Sequence, residues 1–338
     1  MHIQKPIFIA EIGVNHDGSI AKAKKLVDAA KEAGASIVKF QTFVAERVVT
    51  KSASMAEYQK KNLNADNSQY EMLKKLELSY EEFSELKRYC DQKEIEFLST
   101  GFDLESLKFL ASLNPTFWKI PSGEITNLPY IEFMARQKGT IFLSTGMATM
   151  EEVEEAYDLL VSVRKSREEI YVMHCTTQYP AELKDLNLNV LKEFSKKFDQ
   201  NIGYSDHSQG IEISLAAVAM GSLVIEKHIT LDINDEGPDH KASITPSEFA
   251  SMVTLGKNIH SALGHSIKGP TPIEVENKKV ARRSIVANGS IKKGDTFTLE
   301  NLDVKRPGTG INPMLWYSVI GKVASRDYTQ DDLIDEKL

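Results

Sequence analysis

The chain has 338 residues, 41% of them hydrophobic, enough to bury one large core and carry a small appendage, which excludes a single minimal domain. Lys and Arg number 41 against 48 Asp and Glu, a net charge of -7, so neither nucleic acid nor an anionic membrane surface is expected as the principal partner. Cys90 and Cys175 stand far apart without CxxC spacing, which argues against a disulfide framework or a thiolate zinc site and fits a reducing cytoplasm.

Met1 to Pro6 runs directly into a strand-like segment with no sign of an export leader, and no apolar stretch reaches the roughly 18 residues of a membrane span. Eight short β-rich runs then follow: Ile7 to Ile12, Ser36 to Phe40, Ile95 to Ser99, Phe117 to Ile120, Thr140 to Ser144, Ile170 to His174, Ile202 to Tyr204 and Leu223 to Glu226. Between them lie helical stripes such as Ala23, Leu26, Val27 and Ala30, spaced i, i+3, i+4, i+7. Ser79 with Glu82, Thr149 with Glu152 and Thr245 with Glu248 have capping-box spacing, the last with Pro246 at the first helical position. Such alternation predicts βα units and a parallel sheet. Eight units match a (β/α)8 barrel, typically about 250 residues, better than a doubly wound sheet, and no GxGxxG follows the first strand. The polar stretch from Glu46 to Leu76 is expected as an excursion over the barrel's top. The expected domains are a TIM barrel over 1–266, a linker over 267–280 containing Gly269-Pro270 and Thr271-Pro272, and a small β-rich domain over 281–338. In the last, a turn fixed by Pro307, Gly308 and Gly310 presents Arg306.

Barrel chemistry sits where strands finish, so the residues there are read together. Lys39 and Lys119, each flanked by apolar residues, need anionic partners. With hydroxyls from Thr100, Ser122, Ser144 and Ser205 and free N–H groups near Gly123 and Gly146, they suggest a phosphate cradle. The alternative is that the lysines pair with Glu11, Glu124 or Glu226 as buried ion pairs. His207 and His228 end neighbouring strands and, with Asp206, Glu226 and Asp239 nearby, suggest a shared divalent metal. Their two nitrogens leave positions open, which suits Mn2+ or Mg2+ more than a closed zinc site. The alternative is two histidines that cap strands through hydrogen bonds. Glu11 and Glu124 are candidate acid/base groups or simple lysine partners. His16, His174 and His240 read as supporting or core histidines.

The ordered segments EIGVNHDGS, VKFQTF, KIPSGEITNLP, STGMAT, HCTTQYP, GYSDHS, IEKHIT, GPDHKAS and VKRPGTG resemble the sialic acid synthase family over nearly the whole chain, including a small antifreeze-like (SAF) domain after the barrel. The resemblance implies a metal-dependent condensation of phosphoenolpyruvate with an N-acetylated mannose-type sugar, giving a nine-carbon 2-keto acid and phosphate. It places phosphoenolpyruvate contacts on Lys39, Thr100, Lys119, Ser122, Ser144 and Ser205, and metal ligands on His207 and His228. Sugar contacts fall on Gln41, Tyr179 and Asp239, and active-site acids on Glu11 and Glu124. Arg306 is expected to enter the barrel of a partner subunit and bind the N-acetyl group, in a domain-swapped homodimer. N-acetylneuraminate from N-acetylmannosamine is the first expected product. Two departures bear on it: Gly101 stands where proline is usual, and Thr177 where some N-acetylneuraminate-forming members have asparagine. Thr177, GEITNLPY and GPDHKAS also resemble legionaminate synthases, which use a 2,4-diacetamido-trideoxy sugar. Rival readings are a condensation that uses a phosphorylated sugar, a Schiff-base aldolase, and a non-catalytic sugar-binding barrel.

Overall fold

The computed structural model describes residues 3–63, 68–199 and 201–335. They divide into two compact units, one ending at Gly264 and one beginning at His265.

In the first unit eight parallel strands follow the expected runs: β1 Ile7–Gly13, β2 Ile37–Thr42, β3 Glu96–Gly101, β4 Phe117–Ile120, β5 Thr140–Ser144, β6 Ile170–Cys175, β7 Ile202–Asp206 and β8 Val224–His228. Their hydrogen-bonded order is β3-β2-β1-β8-β7-β6-β5-β4, and β3 packs beside β4 to complete the ring. β7 and β8 each run two residues past the predicted ends, so His228 belongs to its strand rather than following it. All three predicted capping boxes form, at Ser79, Thr149 and Thr245.

Strand alternation decides what reaches the interior. On β1, Phe8, Ala10 and Ile12 join the large cluster between strands and helices, while Ile9 points into the barrel. Ile9, Ile37, Leu98, Phe117, Phe142, Met173 and Val224 form an apolar floor, with the Phe117 and Phe142 rings stacked at 5.5 Å. Two residues further along these strands, and two beyond Gly203 on β7, the same faces carry Glu11, Lys39, Thr100, Lys119, Ser144, Cys175, Ser205 and Glu226. Apolar packing below therefore holds a polar layer directly above it, and one residue of register slip would turn that layer outward.

The excursion contains helices Ala45–Val48, Glu57–Leu63 and Gln69–Leu76, and packs Met55, Met72 and Leu76 against Val14 and Phe43. Its Asn62 Nδ2 donates to the carbonyls of Tyr179 at 3.3 Å and Pro238 at 2.7 Å, which seats it on the rim as expected.

The second unit pairs β9 Ser284–Ala287 with β10 Leu302–Lys305 antiparallel over its own core, which includes Ile285, Phe297, Leu302 and Tyr328. Within the segment expected as a linker, Thr271 and Glu274 cap an exposed helix, Pro272–Ala281. Arg306 is exposed, and its Nε donates to the Ala281 carbonyl at 3.0 Å.

Candidate active site

Two adjoining cavities open where the strands end. The first, of about 170 Å³, is lined by Glu11, Lys39, Thr100, Lys119, Ser122, Ser144, Ser205, His207, Glu226 and His228 among others. The second, of about 310 Å³, shares Gln41, Phe102, Tyr179 and His228 with it and adds Asp239 and an apolar wall. Twelve of the predicted site residues thus meet in one place. Glu124 is not among the lining residues, and its carboxylate accepts from Asn127 Nδ2 at 2.5 Å. Arg306 belongs to the other unit.

Glu226, expected from the sequence as a lysine partner or as an acid near the metal, organises the first cavity through its lysines. Its two oxygens each accept from Lys119 Nζ at 3.0 Å, one also from Ser205 Oγ at 2.7 Å, and Lys39 Nζ lies 3.6 Å away. Lys39 also meets Glu11 at 2.9 Å and Thr100 Oγ1 at 3.4 Å. The ion pairs weighed as an alternative therefore exist, and they occupy the same layer as the hydroxyls of the cradle.

Burial penalises every charge in this layer. For Glu226 that penalty is outweighed by Lys119 and Lys39, which hold its carboxyl far below the usual range. For Glu11 burial wins over Lys39, and its carboxyl is pushed up to about 7. Burial lowers Lys119, while for Lys39 the neighbouring Glu11 and Glu226 carboxylates overcome burial and raise it. Two ammonium groups thus face one firmly ionised carboxylate and one that gives up its charge near neutrality. An arriving anion finds net positive charge.

The backbone N–H of Gly146, expected to be free for phosphate, instead donates to Ser122 Oγ at 2.8 Å. Gly13, at φ +54°, keeps the mouth open: a Cβ there would stand 3.2 Å from both Gln41 Nε2 and a Glu11 oxygen and 3.4 Å from His228.

The His207 and His228 ring centroids lie 5.7 Å apart, with the Tyr179 ring 4.1 Å from His207 and 5.8 Å from His228. Burial pushes His207 down to about 4, and burial with His207 beside it holds His228 well below the ordinary imidazole value, so both are neutral near pH 7. His207 Nδ1 lies 2.6 Å from the Thr176 carbonyl, which places the proton there and leaves a lone pair on Nε2. His228 Nδ1 is buried with no hydrogen-bond partner, 4.0 Å from an Asp239 oxygen. Burial raises Asp239 to about 6. Two neutral imidazoles, one with an orphaned buried nitrogen, beside a carboxylate fit a divalent cation with open positions. Asp206, grouped with these acids from its sequence position, faces outward instead and pairs with Lys227 at 3.0 Å. A separate trio, Asp17, Asp235 and His240, comes together at the rim, but Lys22 already bridges its two carboxylates.

Two of the supporting histidines are spoken for: His174 Nε2 meets the Leu186 carbonyl at 2.7 Å, and His240 meets Thr230 and Asp17. His16 is fully buried, and burial pushes it down to about 4 from an ordinary 6.5. The unfolded chain takes up this proton below about 6.5 and the folded chain only near 4, so its contribution is complete above 6.5 and is lost as pH falls toward 4. The loss amounts to about 3 kcal/mol. His16→Asn should visibly flatten the fall of the melting temperature over that pH window; an unchanged slope would show that His16 does not contribute to it.

Residues 26–268 match the NeuB family and residues 282–337 the SAF domain. The chain belongs to the NeuB family. Over 99% of its length it is 46% identical to the N,N'-diacetyllegionaminic acid synthase of Campylobacter jejuni, all of which is covered. It is 44% identical to the enzyme of the same name from Legionella pneumophila, over 93% of this chain and 88% of that one. Among solved structures, the N-acetylneuraminic acid synthetase of Leptospira borgpetersenii superposes with a TM-score of 0.71 at 33% identity, over 81% of this chain and 90% of the other. This member of the NeuB family is therefore an enzyme, a phosphoenolpyruvate-dependent transferase that condenses its substrates through a new carbon–carbon bond. Among the described residues no helix is long and apolar enough to cross a membrane.

Proposed function

We propose that the enzyme joins C3 of phosphoenolpyruvate to the aldehyde carbon of 2,4-diacetamido-2,4,6-trideoxymannose, releasing phosphate and forming N,N'-diacetyllegionaminate. The observation that carries this choice of sugar is the wall of the second cavity. Beside the polar Gln41, Gln59, Gln69, Tyr179, His228 and Asp239 it is built from Val14, Phe43, Val48, Met72, Leu73, Leu76 and Phe102, with no Lys or Arg among the described lining residues. A C6 methyl and a second acetamido methyl find apolar neighbours there. A C6 hydroxyl turned to these apolar side chains, away from the Gln59 and Gln69 amides, would be buried without a partner at a cost of about 1–3 kcal/mol, and a sugar phosphate would find no lysine or arginine. The names of the two relatives from Campylobacter jejuni and Legionella pneumophila support the same order. N-acetylmannosamine, giving N-acetylneuraminate, is the second reading. Mass spectrometry of products from the two sugars run in parallel tests it: turnover confined to N-acetylmannosamine would reverse the assignment.

In this mechanism Lys39 and Lys119, with Thr100, Ser122, Ser144 and Ser205, bind the phosphate and carboxylate of the enol. Gln41, Tyr179 and Asp239 orient the open-chain sugar. His207 and His228 would hold a divalent cation, Mn2+ or Mg2+, which would supply Lewis-acid polarisation of the aldehyde oxygen. As C3 attacks, positive charge develops at C2, and water adds there. Glu11, whose carboxyl lies near 7, takes the proton from that water. The tetrahedral carbon then expels phosphate by C–O cleavage as its hydroxyl gives up its proton to become the keto group, and the former aldehyde oxygen ends protonated as the new hydroxyl. Glu124, turned to Asn127, is assigned no step.

Arg306, exposed on its turn, is proposed to enter the barrel of a second copy and hold an acetamido oxygen of the sugar. Arg306→Ala should then raise the sugar KM about 10- to 100-fold, the equivalent of one charge-assisted hydrogen bond, and leave the phosphoenolpyruvate KM within about twofold. An unchanged sugar KM would remove the cross-subunit role. The free, buried Cys90 and Cys175 fit a cytoplasmic enzyme.

A further inference from the structure

The polar face of the barrel has a counterpart on its outer side. Asp206 and Lys227 are partners in register on β7 and β8, each completely buried, and their side chains meet at 3.0 Å behind the strands. Asp206 also accepts from the Ser208 N–H at 2.9 Å, from Ser208 Oγ at 2.6 Å and from Ser214 Oγ at 2.7 Å, the last on helix Glu212–Ala219. Lys227 has a second partner, the carbonyl of Ser208. One ammonium group therefore grips the residues on both sides of His207, from the position directly before His228.

A buried ion pair of this kind is seldom more stabilising than apolar side chains of the same volume, and its best-attested use is to fix one arrangement among several. Here the arrangement is that of two imidazoles. His228 Nδ1 has no hydrogen bond of its own, so its ring is placed by packing beside Tyr179 and His207 and by the backbone that carries it. We propose that Asp206 and Lys227 form a positioning pair that sets the spacing at which His207 and His228 hold one divalent cation. This rests on reading those histidines as ligands.

The test is titration of Mn2+ alone into the metal-stripped full chain by calorimetry, for the parent, Lys227→Met, Asp206→Asn, the double variant Asp206→Leu/Lys227→Met and, as a control, His207→Ala. Loss of a group that orients metal ligands weakens affinity about 10- to 100-fold, so each folded positioning variant should bind Mn2+ at least fivefold more weakly. Raised Mn2+ should largely restore kcat, because every group that touches substrate is retained. A role in stability alone would lower the melting temperature without moving the Mn2+ affinity of the folded fraction. The double variant replaces the pair with apolar side chains and Asp206→Asn keeps its shape, so either decides the matter if Lys227→Met fails to fold. A change below fivefold in a folded variant overturns the positioning role. If the parent does not bind Mn2+, or His207→Ala binds it as tightly as the parent, the ligand assignment fails instead.

Discussion

Glu11→Gln should lower kcat/KM by about 10²- to 10⁴-fold, the usual contribution of a positioned proton acceptor. Glutamine keeps the shape of the side chain and an oxygen acceptor for Gln41, which now donates to Glu11 at 3.0 Å, but it cannot accept a proton. The variant should fold, because burial already brings the Glu11 carboxyl to about 7, and a neutral amide resembles its protonated form. Phosphoenolpyruvate should bind as well or better, since Lys39 loses a competing carboxylate while Glu226 remains on both lysines. The pH dependence carries the same signature. In the parent the reactive form is the carboxylate, so kcat/KM should rise as pH increases through about 7, and this acid limb should vanish in Glu11→Gln. Phosphate release followed across pH checks both points. A variant within threefold of the parent would show that another group receives the proton.

Metal removal should abolish turnover in the parent, and added Mn2+ should restore it. In His207→Ala the same addition should fail at equimolar metal, with affinity reduced by about 100-fold or more, since this loss removes a ligand and not merely its support. The structural cost is smaller. The Thr176 carbonyl loses its donor at 2.6 Å, a penalty of about 1–3 kcal/mol, which the remaining barrel can absorb. Thermal melting separates the two effects: excess Mn2+ should raise the melting temperature of the parent by mass action and leave that of the variant unmoved. Equal stabilisation of both proteins would move the metal away from His207.

Much of this enzyme was legible before its coordinates. Runs such as Phe117 to Ile120 and Thr140 to Ser144 became strands with those bounds, because a short apolar run between helical stripes and capping boxes has few other ways to be buried. Parity along each run sends Lys39, Lys119 and Ser205 to the same side as the apolar floor, so the residues of the cradle could be gathered from strand ends. The departures from expected placement cluster at positions where a neighbour in sequence is not a neighbour in space. Asp206 adjoins His207 yet faces outward, since consecutive strand residues point to opposite sides. Glu124 lies two residues beyond Ser122, but the short helical turn Ser122–Glu124 leads its side chain to Asn127.

The chain's own order of residues determined the eight strands, the apolar floor and the inventory of acids, lysines, hydroxyls and imidazoles, because periodicity and capping act over a few residues at a time. Only tertiary structure decided which of these groups answer one another and in what charge state. Closing the ring brings Lys119 within 3.0 Å of Glu226, 107 positions away, and buries both side chains. In that buried layer Glu11 and Glu226, the same residue type, are driven to opposite protonation behaviour, because for one desolvation prevails and for the other two ammonium groups outweigh it.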